Sequence, residues 1–206
     1  MSPRLIKPIE SNTDKALTYR QMKSRYNKAM KESFYFEAIA IDYAMIEDRL
    51  RSFIYHIGGL NTRNSLKLDN QTSKKFLIPL FNDYTSNKYQ GINVGNISTK
   101  YNLIRAVLNW VINTEGAKDN YQAKLKFACD SLDAEDVFNC LDELEQWCKY
   151  RNEITHALMN KNLSSLYTEL ADKAEDGMKL ATKIDSYVKA VKNGHVVRKS
   201  INLKTE

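Results

Sequence analysis

The stretch Arg151-Asn152-Glu153-Ile154-Thr155-His156 gathers a guanidinium, a carboxamide and an imidazole into six residues. A guanidinium binds phosphate through two parallel hydrogen bonds. An imidazole gives and takes a proton near neutral pH. Together they suit phosphodiester chemistry that needs no metal. On a helix Asn152 and His156 are four apart and fall nearly in line on one face. Arg151 and His156 are splayed by roughly 140° and separated by about 7.5 Å along the axis. One straight helix does not easily aim both at one phosphorus atom. Two copies facing each other across a two-fold axis would line a shared groove with two Arg and two His, so the stretch fits a dimer better than a monomer. Arg and His also occur on helices as ordinary surface or interface groups, and that reading stands beside the chemical one.

The element that must position these groups is a long helix starting after Ser131, with Asp133 as its cap. Asp133, Glu135 and Asp136 sit at its positive end, where acids are favoured. Its apolar face runs through Val137, Cys140, Leu141, Leu144, Trp147 and Cys148, then meets Arg151 before Ile154 and Leu158. Arg151 thus stands where a core residue is expected. A guanidinium there costs free energy unless it is paired or lines a wet groove. Such a local break in pattern points to function. His156 lies at the edge of the stripe.

The rest of the chain reads as helices around that one. Residues 1–10 form a short arm. Residues 11–31 read as a helix with few apolar positions and many basic ones, among them Arg20, Lys23, Arg25 and Lys28, interleaved with Tyr19 and Tyr26. That mixture suits backbone phosphates and stacked bases, or equally a solvated face. Residues 33–57 carry a clear core stripe, Phe36, Ile39, Tyr43, Ile46, Leu50, Phe53 and Ile57, ended by Gly58-Gly59. His56 falls in its last turn, where a cation favours the carbonyl end, and reads as structural. Asp42, Glu47 and Asp48 lie off the stripe, where a carboxylate could face the motif helix and orient its Arg or His. Shorter helices are expected over 73–84, with Pro79 as kink or start, over 98–113 capped by Ser98, and over 118–129. Residues 60–72 and 85–97 read as loops, and Gly91 and Gly95 lack the spacing of a phosphate-binding glycine motif. A long helix over 164–191 closes the bundle, and residues 193–206 read as a basic, disordered tail.

Composition agrees with this outline. The chain has 206 residues, 43% hydrophobic and 27% charged, enough for one domain with a full core. Seven Gly and three Pro are few, which favours helices over a turn-rich β fold. The expected architecture is all-α: a single up-and-down bundle over 33–192, with a basic arm and helix over 1–32. A net charge of +6 permits a polyanionic partner. Cys129, Cys140 and Cys148 are odd in number and form no Cys-x-x-Cys pair, so free thiols in a reducing compartment are expected. No ligand spacing suggests a metal site, no cofactor is implied, and no apolar run approaches a membrane span. A cytoplasmic protein is the default expectation.

The pattern Arg151-Asn152-x-x-x-His156, late in a long helix of an all-α bundle, resembles the Arg-to-His signature of HEPN domains, in which a polar residue, often Asn, follows the Arg. The resemblance extends over roughly residues 33–190. It implies a metal-independent endoribonuclease that works as a homodimer with a composite site, of the kind found in toxins and abortive-infection defence against phage. By that resemblance Arg151 would hold the scissile phosphate, and His156 would handle the proton of the attacking 2′-hydroxyl or of the departing 5′-oxygen. Asn152 would orient His156 or the phosphate, and Glu47 would serve as an orienting carboxylate. The products would be a 2′,3′-cyclic phosphate and a 5′-hydroxyl, and DNA would be inert. An antitoxin or other regulatory partner is implied as well. One subgroup carries Arg-x4-His-x-Tyr; here that last position is Leu158, a departure from its pattern.

Two other readings remain open. The chain could be a non-catalytic HEPN-like module that binds nucleic acid, a nucleotide or a partner protein, because a fold does not fix a function. It could also be a helical interaction protein in which Arg151 and His156 merely staple a dimer.

Overall fold

The computed structural model describes residues 12–157 and 163–205. The arm of residues 1–10 and Leu158 lie outside them. The fold is all-α: α1 (Asn12–Lys31), α2 (Tyr35–His56), α3 (Gln71–Thr85), α4 (Ile97–Asn113), α5 (Asn120–Cys129), α6 (Ala134–Ala157), α7 (Leu163–Lys192) and, after a 3₁₀ turn at Asn193–His195, α8 (Val196–Ser200). Among the described residues there is no strand. An isolated bridge between Lys67 and Asn93 ties together the two loops that flank α3.

The centre of the bundle is α2 lying along α7, with α1 against α2, and α4 and α6 completing the core. The periodicity of α2 explains this. Ile39, Ile46, Leu50 and Phe53 are buried on one side, and Ile54 adds to them. From α7 come Leu170, Ala174, Ala181 and Ile184. Each fully buried aliphatic side chain contributes about 1.5–3 kcal/mol, several times the ~0–1 kcal/mol of a surface ion pair. Apolar burial therefore holds α2 to α7. Polar contacts such as Arg49–Asp185 at 2.8 Å set their register.

Local chemistry moves several element ends from where the sequence places them. Asn70 caps α3, accepting from the backbone N–H of Thr72 and Ser73, so that helix starts two residues before the expected Ser73. Pro79 lies inside α3 without ending it. Both Pro79 and Lys75, whose carbonyl loses its donor, are exposed, on a face of α3 where solvent can reach the freed carbonyl. Asn96, not Ser98, is the N-cap of α4, and Asp119 caps α5 through the N–H of Gln122.

Gly177 is a point of close approach between α7, α2 and α6. A β-carbon there would come within 2.7 Å of both Asp42 Oδ2 and Trp147 Cζ2. Gly→Ala in a helix ordinarily stabilises by about 0.5–1 kcal/mol. Here the overlap outweighs that gain, and Gly177→Ala is expected to cost about 1–3 kcal/mol, read as a lower urea midpoint at unchanged m. A rise in the midpoint would show that α7 can slide away from α2 at little cost.

The C-terminal stretch departs most from expectation. Residues 193–205, expected as a loose basic tail, fold back against the end of α2. Val197 and Arg198 are buried. Arg198 Nη1 donates to the carbonyls of Tyr55 (2.9 Å) and Leu60 (2.8 Å), Nη2 to that of Asn61 (3.0 Å), and Nε to that of Lys204 (2.8 Å). Its guanidinium also lies 3.5 Å from the centre of the Tyr55 ring. The end of α2 is thus satisfied by Arg198, with Tyr121 donating to the Ile57 carbonyl and Ser73 to that of Gly58. His56 does not supply the expected cation. Burial and the surrounding positive charges push its pKa down to about 2, so it is a neutral imidazole.

Candidate active site

Helix α6 is pinned at three heights before it delivers the motif. At its start, Lys183 pairs with Asp136 at 2.6 Å and Tyr187 donates to the same carboxylate at 2.6 Å. Those two hydrogen bonds, Lys183 first, hold the Asp136 carboxyl below its ordinary range. In its middle, the buried Arg105 of α4 donates to Asp142 and, at 3.0 Å, to Glu145. One turn before the motif, Trp147 Nε1 donates to the Lys173 carbonyl of α7 at 2.8 Å. The apolar positions Val137, Cys140, Leu141, Leu144, Trp147 and Cys148 are all buried.

Arg151 then breaks the stripe, as the spacing requires. Its neighbours Trp147, Cys148 and Ile154 are buried, while Arg151 itself is half-buried. The guanidinium carbon sits 4.3 Å from the centre of the Tyr43 ring of α2. Nη1 donates to Asn152 Oδ1 at 3.0 Å. Among the described residues no carboxylate pairs with Arg151. A half-buried guanidinium is therefore held by an aromatic face and a neutral oxygen, and its charge stays available to an incoming anion. Asn152 and His156 are exposed. Thr155 Oγ1 donates to the Arg151 carbonyl at 2.9 Å within the same turn.

The structure joins Arg151 to Asn152, but the Asn152 oxygen serves the guanidinium, not His156. Glu47 is not part of this group. Its carboxylate accepts from Lys100 Nζ at 2.9 Å and Arg51 Nη2 at 3.3 Å. Lys100 is fully buried and needs that counter-charge, which is why Glu47 faces α4 and not the motif. The α2 residue that meets Arg151 is Tyr43, one turn earlier. It reads as a plain core position in the sequence, although a tyrosine beside a stripe-breaking arginine is a cation–π signal. Asp48 turns to α1, pairing with Lys15 at 2.8 Å and accepting from Tyr19 at 2.6 Å.

Asp42 does face the motif helix, in an unexpected state. It is fully buried, neither carboxylate oxygen has a hydrogen-bond partner, and it lies with Trp147 against Gly177. Burial pushes its pKa up from 3.8 to about 8, so it is a neutral acid at pH 7. The consequence for stability has a definite sign. Below pH 3.8 both folded and unfolded chains hold the proton and nothing is lost. Between there and about pH 8 the unfolded chain has released it and the fold has not, so stability falls as pH rises. The slope approaches about 1.4 kcal/mol per pH unit. Asp42→Asn is expected to match wild type near pH 4 and to exceed it by about 4 kcal/mol at pH 7. Urea unfolding at the two pH values tests this, and an equal change at both would refute it.

On α1, Arg20, Lys23, Arg25 and Lys28 are exposed, and Arg25 makes a loose pair with Glu37 at 3.5 Å. The interleaved aromatics do not join them. Tyr26 is buried and donates to the Ala174 carbonyl, and Tyr19 bonds Asp48 and lies under Arg49. An amphipathic α1 cannot offer both rings and charges to solvent, so base stacking on these tyrosines is excluded while phosphate contact by the lysines and arginines is not.

The three cysteines are free and buried, and burial raises each thiol, Cys129 to about 12 and Cys140 and Cys148 to about 11. They pack as apolar groups and are not nucleophiles. Among the described residues no cluster of His, Cys, Asp or Glu could hold a metal ion. No helix among them is long and apolar enough to cross a membrane. No family model matches the chain, and neither a curated protein nor a solved structure matches it.

Proposed function

We propose that the protein is a metal-independent endoribonuclease of the HEPN type, in which Arg151 binds the scissile phosphate and His156 moves the proton. The observation that carries this is the state of Arg151: a half-buried guanidinium over Tyr43, bonded to Asn152, with no carboxylate to neutralise it among the described residues. His156 stands exposed within the next turn and a half, in solvent, where a second protomer or an RNA can reach it. The reaction is attack of the 2′-oxygen on phosphorus. The 2′-hydroxyl proton passes to an imidazole, the P–O5′ bond breaks, and the 5′-oxygen takes up a proton. A second copy of α6 facing the first supplies a partner Arg and His, and this is the role of a homodimer. The exposed cations of α1 extend the contact with the RNA backbone. The toxin or antiphage role and an inhibitory partner follow from the HEPN resemblance.

The test separates chemistry from assembly. His156→Ala is examined by sedimentation and by RNA binding beside its cleavage activity. Lost cleavage with an intact dimer and intact binding is the expected result. Loss of the dimer, with RNA cleavage never present in wild type, identifies a structural staple instead.

A further inference from the structure

The exposed cations of α1 and the end of α6 open at the same end of the bundle. Contacts between the helices fix their directions. Lys15 meets Asp48 and Arg25 meets Glu37, so α1 runs against α2. Asp42 lies at Gly177 and Arg49 at Asp185, so α2 and α7 run together. Asp136 meets Lys183 and Trp147 meets Lys173, so α6 runs against α7. Helices α1 and α6 are therefore parallel. Their levels agree as well. Tyr26 of α1 and Trp147 of α6 donate to consecutive carbonyls of α7, those of Ala174 and Lys173. At about 1.5 Å per residue, Lys31 and Arg151 follow roughly 7.5 and 6 Å beyond that level. Counted from the contact of Asp42 with Gly177, Phe34 at the start of α2 comes out about 7 Å beyond it too.

We propose that single-stranded RNA reaches Arg151 along α1, with phosphates on Arg20, Lys23, Lys28 and Lys31 and an unpaired base against the ring of Phe34. The four cations are exposed, and none pairs with a carboxylate among the described residues. They follow one side of the helix, within roughly 140° and over about 16 Å, which suits one polynucleotide backbone. Glu32, just past the helix, is the exposed acid nearest to them in sequence and leaves most of that charge standing. Phe34 is 56% exposed. It is also the N-cap residue of α2 and gives that helix no side-chain cap, so the positive start of α2 is open beside the ring. A ring in this position stacks on a base that is out of a duplex, whereas the bases of a duplex are already stacked on each other. Contacts to phosphate carry no sequence information, so the path takes any single strand. That the strand ends with its scissile phosphate at Arg151 rests on the ribonuclease reading; the path along α1 and Phe34 is tested without it.

Fluorescence anisotropy of the full chain with a labelled 2′-O-methyl oligonucleotide, which has no free 2′-hydroxyl to attack, reads binding apart from cleavage. The single strand and its blunt duplex are titrated at several KCl concentrations. The single strand should bind more tightly than the duplex. With Arg151 and the four cations of α1 each on a phosphate, log K should fall against log salt with a slope of about −3.5, about −0.7 per contact. Lys28→Gln and Lys31→Gln together should bring that slope to about −2. Phe34→Ala should weaken binding by about 5–100-fold at unchanged slope, and Phe34→Trp should restore it. Circular dichroism checks that each variant is folded. A duplex bound as tightly as the single strand, or binding indifferent to these variants, overturns the path. Binding as expected with plain RNA left uncut keeps the path and removes the ribonuclease reading. Cleavage of plain RNA with binding that ignores the α1 and Phe34 variants does the reverse.

Discussion

His156→Ala is expected to lower RNA cleavage by about 10²–10⁴-fold, the usual worth of a positioned proton-transfer group. The variant should not lose the fold. His156 is exposed at the end of α6, and the three pins at Asp136, Arg105 and Trp147 grip that helix about two and a half to five and a half turns before it. Arg151→Ala should show a loss of similar order, about 10²–10³-fold, because charge building on the phosphate would lose its partner. It also strips a cation from the Tyr43 face, so some stability goes with it, about 0.5–1 kcal/mol. The two variants therefore differ in unfolding midpoint and agree in lost activity. Cleavage that survives both would place the chemistry elsewhere.

Arg198→Met should produce the largest loss of stability in the chain. The side chain keeps its length but gives up four donors. The carbonyls of Tyr55, Leu60, Asn61 and Lys204 would lose their guanidinium partner. An unsatisfied buried polar group costs about 1–3 kcal/mol, and collapse of the segment onto water recovers part of this. We expect a net loss of about 3–5 kcal/mol, against a total of about 5–15 kcal/mol for a typical domain. At ~2–4 °C per kcal/mol for a chain of this size, the midpoint temperature should fall by about 6–20 °C. Arg198→Lys should rescue little, since one ammonium cannot reach carbonyls that a planar fork spans. A loss under about 1 kcal/mol would mean that α8 contributes little to holding α2.

The sequence carries the helices and their buried faces plainly, because a stripe at three- and four-residue spacing has one physical reading when it is long. The core positions of α2, α4 and α6 are legible for that reason. Arg151 is legible as a break in such a stripe. What holds Arg151 is not, because Tyr43 belongs to another stripe and only the docking of α2 and α6 onto α7 and α4 brings the two together. Glu47 illustrates the same limit. A carboxylate off a stripe has several possible partners, and the buried Lys100 takes it. The clasp of residues 193–205 is hidden by charge counting. Its basic residues suggest a solvated tail, whereas Val196, Val197 and Ile201 carry enough apolar character to dock it. A buried arginine is disguised by its company when local composition is the only guide. The neutral Asp42 and the glycine beside it are contacts between distant helices and leave no local mark.

Incubation of the purified protein with total RNA in EDTA, beside His156→Ala, with the chemistry of the new ends determined, bears most directly on the central claim. The account predicts cleavage by wild type alone, leaving 2′,3′-cyclic phosphate and 5′-hydroxyl ends. Cleavage that requires a divalent cation, leaves 5′-phosphate ends, or persists undiminished in His156→Ala would contradict it.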